Sequence, residues 1–439
     1  MMLKRFRLMA LATVAAALPM QAVAQTAPAT VPPGPATVVP RAAPAKDPIA
    51  PLPPAEGTEP VVEVLPPPPW SMADAQDLLA FINSIHKEGL EPLDYDPAGL
   101  VLAMRSGDPM ALAKAATDRF NLVSSDLAFG HVRGEDRQGW HIVDKDLDDA
   151  RQRQMLEAAL ATHRVAAVLQ TLLPGHPQYG FLRNALAMSD KLDTAKVNRI
   201  RLNMDRWRWL PRELGDKYII VNVPAFYATL VENGVTRWKQ RAIAGATKTP
   251  TPQLNALATG VILNPWWEVP ASISREVAGK AGYVAVKGKD GKVQRWRQPP
   301  GPSNALGQMK FVMPNSHAIF LHDTNARSRF NSQVRALSHG CIRTEHIHDL
   351  AATLLGDDGG EWTNEKIAAA LASKKTVQAN FVKPVPIYIV YFSSAALVDG
   401  KIVDYDDVYK RDSKVIAALL DSDGKAPGVT APARPVAAK

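Results

Sequence analysis

The sequence predicts an α+β chain in which a helical part is followed by a mainly β part. Three observations carry this. Apolar residues recur at three- and four-residue steps between Ser71 and about Lys196. Short β-rich runs bounded by turn residues dominate from about residue 217 to 325, and a helical interval near Thr363 to Ala372 is followed by strands again near 385 to 405. With 439 residues, 46% of them hydrophobic, the chain is long enough for two or three structural units once non-globular ends are set aside.

Taken in order, Lys4, Arg5 and Arg7 precede an apolar run from Leu8 to about Met20, and Ala22-Val23-Ala24 offers small residues for cleavage before Gln25. This pattern predicts a secretory signal peptide over residues 1–24. The run is too short to cross a hydrocarbon core about 30 Å thick, so no transmembrane span is expected once the signal is removed. Residues 25–69 are rich in Pro and Ala, end in Pro66-Pro67-Pro68-Pro69, and are expected to be a disordered linker. Ser71 is an N-cap candidate ahead of Ala73, Leu78, Leu79, Ile82 and Ile85, and the texture repeats over Met110 to Val123 and Ala150 to Leu173. Breaks fall at Glu91-Pro92, Asp96-Pro97 and Leu173-Pro174-Gly175, which gives a helical domain over residues 70–200. His86, His131, His141, His163 and His176 are scattered through it at no metal-ligand spacing.

Arg206-Trp207-Arg208-Trp209-Leu210-Pro211 marks the change of texture. Either the tryptophans are core at a domain junction with the arginines outside, or the four residues form a stacking patch for a polymer; aromatic clusters favour packing. Strands are expected at Tyr218 to Pro224, Val235 to Ala244 after an Asn233-Gly234 turn, Leu257 to Leu263, Ala318 to Leu321 and Ile387 to Phe392. The end of the chain, 413–439, reads as a terminal helix and a disordered tail rich in Ala and Pro.

Charge and cysteine usage narrow the chemistry. The formal net charge of +8 falls to +5 when Lys4, Arg5 and Arg7 leave with the signal. That excess favours anionic partners, but there is no basic run of the kind that marks nucleic-acid binding, and an acidic polymer outside the membrane, such as a cell wall, fits it. The single cysteine, Cys341, cannot form an internal disulfide. It is either a buried structural thiol or a reactive one. A thiol acyl transferase needs a histidine near the cysteine and backbone N–H groups for the oxyanion. Gly340 precedes Cys341, His339 lies two residues before it, and His322 ends an apolar strand candidate. The rival reading, zinc held by His322, His339, Cys341, His346 and His348, matches no familiar ligand spacing, so no metal is expected.

The pairing of Leu321-His322-Asp323-Thr324 with Ser338-His339-Gly340-Cys341-Ile342-Arg343 resembles the signature of the L,D-transpeptidase catalytic domain, also called YkuD. Asn203 to Pro211, Asn264 to Pro270, Met309-Lys310-Phe311 and Asp406 to Asp412 extend the likeness to the large periplasmic YcbB-like branch, over roughly residues 70–412. The resemblance implies a scaffold domain over 70–200 and a mainly β catalytic domain over 201–412 with a capping loop at 274–310. It implies Cys341 as nucleophile, His322 as general base, and Asp323 as orienter of the ring through its backbone carbonyl; the Asp323 side chain is either part of that role or a surface acid. His339 would shape the pocket, and the N–H groups of Gly340 and Cys341 would meet the oxyanion. Arg343, Ser338, Trp266, Trp267 and Lys310 would contact substrate. The chain departs from many members of that branch in leaving no room between Lys191 and Trp207 for a peptidoglycan-binding module. Residues 274–310 carry eight basic residues against Glu276 and Asp290, which suits a lid attracting acidic peptides or a merely solvated loop.

The implied activity needs no cofactor. It is the cross-linking of peptidoglycan stem peptides, donor and acceptor, in the periplasm, through a thioester on a thiol that carbapenems would also modify; other cell-wall enzymes are possible partners. The family's commoner donor is meso-diaminopimelate, giving 3-3 links; L-Ala as donor would give 1-3 links. Water as acceptor would make a carboxypeptidase or endopeptidase, and a protein amine would make a lipoprotein-attaching enzyme. A wall-binding scaffold with an inert cysteine is the alternative of another class.

Overall fold

The computed structural model describes residues 66–143 and 147–421. The expected signal peptide, the linker up to residue 65 and the tail beyond 421 lie outside the described residues.

The first half is helical, and its helices start where side chains satisfy the free N–H groups of the first turn. Helix α1 (Met72–Ser84) begins at Ser71, whose hydroxyl accepts from the Asp74 N–H at 3.1 Å. Helices α2 (Pro97–Arg105) and α3 (Pro109–Phe129) each open on proline behind an aspartate cap, Asp96 accepting from Gly99 N–H and Asp108 from Met110 N–H, both at 2.9 Å. Leu112, Ala116, Phe120, Val123 and Leu127 line one face of α3 and pack on Leu78 and Ile82 of α1. Helices α4 (Asp149–Thr162) and α5 (Val165–Gln170) complete this core with Leu156, Val165 and Leu169.

Helices α6 (Pro177–Met188) and α7 (Thr194–Arg208) join the helical part to the sheet. Trp207 and Trp209 are core, as the packing reading expects. The arginines beside them are not outside. Arg206 and Arg208 are each 1% exposed, because α7 runs between helices on one side and sheet on the other and has no solvent face in its last turns. Their charge is met inside: Arg206 pairs with Asp412 at 2.8 Å, and Arg208 with Asp205 at 3.2 Å and the Tyr179 hydroxyl at 2.7 Å.

Strands β1 (Lys217–Asn222), β2 (Tyr227–Glu232), β3 (Val235–Gly245) and β4 (Leu254–Leu263) follow. Then come β5 (Trp267–Glu268), the short helix α8 (Ser274–Val277), β6 (Val284–Lys287), β7 (Val293–Gln298), β8 (Met309–Val312) and β9 (Leu321–His322). The chain continues through β10 (Ala336–Ser338), β11 (Ile342–Thr344), α9 (Ile347–Gly356), α10 (Asn364–Ala372), β12 (Val377–Val390), β13 (Ser394–Ala396), β14 (Ile402–Asp404) and α11 (Asp412–Leu420).

The main sheet runs β10-β3-β11-β9-β8-β4-β12-β1-β2, and β2 also pairs with β3. Eight of its strands therefore close into a barrel, leaving β10 as a branch on β3. Closure removes free edges and makes one enclosed core of Ala242, Val261, Phe311, Leu321, Ile342, Ile387 and their neighbours. Ala318, expected in a strand, has φ of +53°, and pairing begins only at Leu321.

Residues 267–298 form a separate three-stranded sheet, β5-β7-β6. Together with α8 it has its own small core of Val269, Ile273 and Val277, flanked by Trp267, Tyr283 and Trp296. Most of the interval expected as a capping loop is thus folded, and Lys310 belongs to barrel strand β8. Among the described residues no helix is long and apolar enough to cross a membrane.

Candidate active site

Successive side chains of a strand point to opposite faces of a sheet. Met309, Phe311, Leu321 and Ile342 point into the barrel core, so Lys310, His322 and Arg343 point outward. The register sets these three side by side: Ile262 of β4 opposes Lys310, Lys310 opposes His322, His322 opposes Arg343, and Arg343 opposes Ile243 of β3. Cys341 immediately precedes β11 and is partly buried, beside this row. Of the residues singled out in the sequence, the fold therefore brings Cys341, His322, Lys310 and Arg343 together.

The turn carrying the cysteine is tied from inside. Gly340 has φ of +116°, a conformation that excludes a side chain, and a Cβ there would also stand 3.2 Å from Ile319. Ser338 is 3% exposed; its hydroxyl donates to the Cys341 carbonyl at 2.6 Å and accepts the Gly340 N–H at 3.1 Å. The Gly340 N–H is thus engaged within the turn. Among the described residues the Cys341 N–H has no hydrogen-bond partner.

The electrostatics describe a neutral resting pair. Burial pushes the Cys341 thiol up, against the opposing pull of the Phe320 backbone, Lys310 and Arg343. Burial pushes His322 down to about 3, and the cations of Arg343 and Lys310 add to this, outweighing the backbone carbonyls of Asp323 and Leu306. The His322 Nδ1 meets the Asp323 carbonyl at 2.5 Å, which fixes the ring through the backbone. The thiol donates to the Ala318 carbonyl at 3.7 Å, and among the described residues no hydrogen bond joins it to the imidazole. Lys310 lies over the Phe320 ring at 5.0 Å; burial lowers it, and Cys341 and Glu268 pull the other way. Burial lowers Arg343 as well, and its buried Nε has no hydrogen-bond partner among the described residues.

The Asp323 side chain is buried, 4% exposed. Its carboxylate accepts the Gln308 N–H at 2.9 Å and both bonds from Arg327, at 3.0 and 3.1 Å, with the His348 Nε2 at 3.7 Å. Gly307 makes room for it, since a Cβ there would come within 2.3 Å of the carboxylate.

The remaining candidates lie towards the cap. His339 is exposed, and its Nε2 is 3.8 Å from the Glu276 carboxylate on α8. Trp266 carries the Arg297 guanidinium over its ring at 4.2 Å, whereas Trp267 packs edge-on against Tyr283 within the core of the cap. Lys287, Lys289 and Lys292 are exposed, and Arg295 pairs with Glu268 at 3.0 Å. No group of three or more His, Cys, Asp or Glu that could hold a metal ion occurs among the described residues.

Sequence reasoning missed Thr251 and Tyr409. Thr251 is fully buried behind the turn that carries Cys341, and the Tyr409 hydroxyl donates to the Gly245 carbonyl at 2.6 Å and accepts the Thr251 N–H at 3.1 Å. A threonine between two prolines, Pro250 and Pro252, was the only local signal.

Comparison with known proteins agrees with this architecture. Residues 216–387 match the family profile of the L,D-transpeptidase catalytic domain, YkuD, and residues 67–186 match that of a scaffold domain. A Haemophilus influenzae protein provisionally named an L,D-transpeptidase is 31% identical over 253 residues, 52% of this chain and 50% of that protein, so the chain spans about half the length of the curated relative it matches. Among solved structures, an L,D-transpeptidase of Enterococcus faecium aligns at 11% identity over 40% of this chain and 50% of its own, with a TM-score of 0.23. One from Mycobacterium smegmatis aligns at 14% over 40% and 58%, with a TM-score of 0.22. The profile matches and the closed barrel together show that the chain carries an L,D-transpeptidase catalytic domain of the cysteine-dependent YkuD family, preceded in sequence by a scaffold domain.

Proposed function

We propose that this protein is a periplasmic peptidoglycan L,D-transpeptidase that acylates Cys341 with a stem peptide and passes the acyl group to an amine of a second stem. The single observation that carries the reading is the placement of Cys341 beside the outward row Lys310, His322 and Arg343, within the segment matched as a catalytic domain. We assign residues 70–200 to the scaffold, 201–412 to the catalytic domain and 274–310 to its cap.

In this reading the Cys341 sulfur attacks the carbonyl of an L-centre joined to a D-residue while His322 takes the thiol proton. The carbon–nitrogen bond breaks, the D-amino component leaves with that proton, and a thioester remains. The incoming amine attacks the thioester, and the thiol is released. Both partners are neutral at rest, so charge develops only as substrate arrives and draws thiol and imidazole together; catalytic hydrogen bonds often tighten in this way. Lys310 and Arg343 stabilise the developing thiolate and attract the carboxylates of the stem. The Cys341 N–H, without a hydrogen-bond partner among the described residues, meets the oxyanion.

We assign meso-diaminopimelate as donor and 3-3 links as product. Incubation with purified tetrapeptide muropeptides, followed by mass spectrometry of the products, tests this. The expected product is a dimer joined through two diaminopimelate residues, with release of the terminal D-Ala. A dimer joined through L-Ala would move the donor to the first residue. Shortened monomers alone would make the protein a carboxypeptidase, and unchanged muropeptides would leave it a wall-binding scaffold.

A further inference from the structure

A planar trans peptide points its carbonyl and its N–H in opposite directions. The Gly340–Cys341 peptide matters for this reason, because its N–H belongs to Cys341. Thr251, fully buried, donates its hydroxyl to the Gly340 carbonyl at 2.7 Å and accepts the Gly245 N–H at 2.9 Å. The hydroxyl therefore has one donor and one acceptor partner and no rotational freedom left. Its own backbone is held in turn, through the Thr251 N–H on the Tyr409 hydroxyl at 3.1 Å and through the prolines on either side. Gly245 packs against the same turn; a Cβ there would stand 3.1 Å from the Gly340 Cα and 2.1 Å from the Thr249 carbonyl. Nothing in the steric map of a glycine at φ +116° fixes its peptide plane, so a specific contact has to.

We infer that Thr251 is a positioning residue: by pinning the Gly340 carbonyl towards the interior, it turns the Cys341 N–H outward as the oxyanion donor. The inference rests on the transpeptidase reading and adds to it a residue that touches neither substrate nor thiol. Its effect belongs to steps that pass through a tetrahedral oxyanion. Acylation by a β-lactam is such a step: the sulfur attacks the ring carbonyl, the carbon–nitrogen bond of the ring breaks, and the nitrogen takes a proton. Alkylation by iodoacetamide displaces iodide at a saturated carbon and creates no oxyanion.

The experiment compares the two rates, acylation by imipenem and alkylation by iodoacetamide, in wild type, Thr251→Val and Thr251→Ser. Thr251→Val should acylate roughly 10- to 100-fold more slowly, as loss of oxyanion contact or small misplacement of reacting groups produces, while alkylating at the wild-type rate. Thr251→Ser, which keeps the hydroxyl, should restore acylation. Wild-type acylation by Thr251→Val, or an equal fall in both rates, would overturn the inference. If the valine variant does not fold, Thr251→Ala carries the same comparison with the same two outcomes. A wild-type protein that alkylates but is never acylated would instead remove the transpeptidase reading beneath it.

Discussion

Replacing Asp323 by alanine separates a structural carboxylate from a surface acid. The carboxylate is 5% exposed at its side chain and accepts the backbone N–H of Gln308 at 2.9 Å, a buried charge-assisted bond whose loss leaves that N–H unsatisfied and costs about 1.5–3 kcal/mol. The bonds from Arg327 add little, about 0–1 kcal/mol, because that side chain is 59% exposed and solvent screens the pair. The sum is about 2–4 kcal/mol. In a domain of this size each kcal/mol moves Tm by roughly 2–4 °C, so Asp323→Ala should melt roughly 4–16 °C below wild type by circular dichroism. Asp323→Asn keeps an acceptor for Gln308 and should lose about half as much. The carbonyl that holds His322 survives in both variants, so acylation by imipenem well below the melting range should fall less than in His322→Asn. An Asp323→Ala variant melting within about 1 °C of wild type would refute the buried role.

Three further predictions concern charge. Because burial raises the Cys341 thiol, its iodoacetamide alkylation rate should still be climbing with pH where an ordinary thiol has levelled off; full reactivity at pH 6 would mean a preformed thiolate–imidazolium pair and contradict the neutral resting state. The same burial makes stability pH-dependent: His322 and His176, held down to about 3 and about 4, stay neutral in the fold while the unfolded chain takes up protons below about pH 6.5. Their stabilisation is complete above that pH and is lost as pH falls towards the folded values, so Tm should drop between about pH 6.5 and 4, where a flat Tm would contradict their burial. On the cap, changing Lys287, Lys289, Arg295 and Arg297 together to Glu should raise KM for acidic stem peptides, with a smaller effect at high salt; an unchanged KM would leave the cap without a steering role.

Much of the helical part was legible because its signals are local. Ser71 was readable as a cap because it lies three residues from the N–H it accepts, and Asp96-Pro97, read as a break, is where α2 begins; the Asp108-Pro109 start was not singled out. The barrel was less so. Strands β9, β10 and β11 are two or three residues long, too short to show alternation, and they exist because distant segments pair with them. The cysteine and histidine were visible as a motif, but the outward row that sets Lys310 and Arg343 on either side of His322 follows from register. Burial of Arg206 could not be read either, since its partner Asp412 is 206 positions away. Thr251 escaped for the same reason: what matters about it is a carbonyl 89 positions further along the chain.

The proposed reaction turns on Cys341 as the acylated nucleophile. The most direct test is the intact mass of the folded protein after brief exposure to imipenem, with peptide mapping of the product. One adduct is expected, on Cys341, absent from Cys341→Ala and strongly slowed in His322→Asn. Folded wild-type protein whose mass does not change, or an adduct on any other residue, would contradict the proposed reaction.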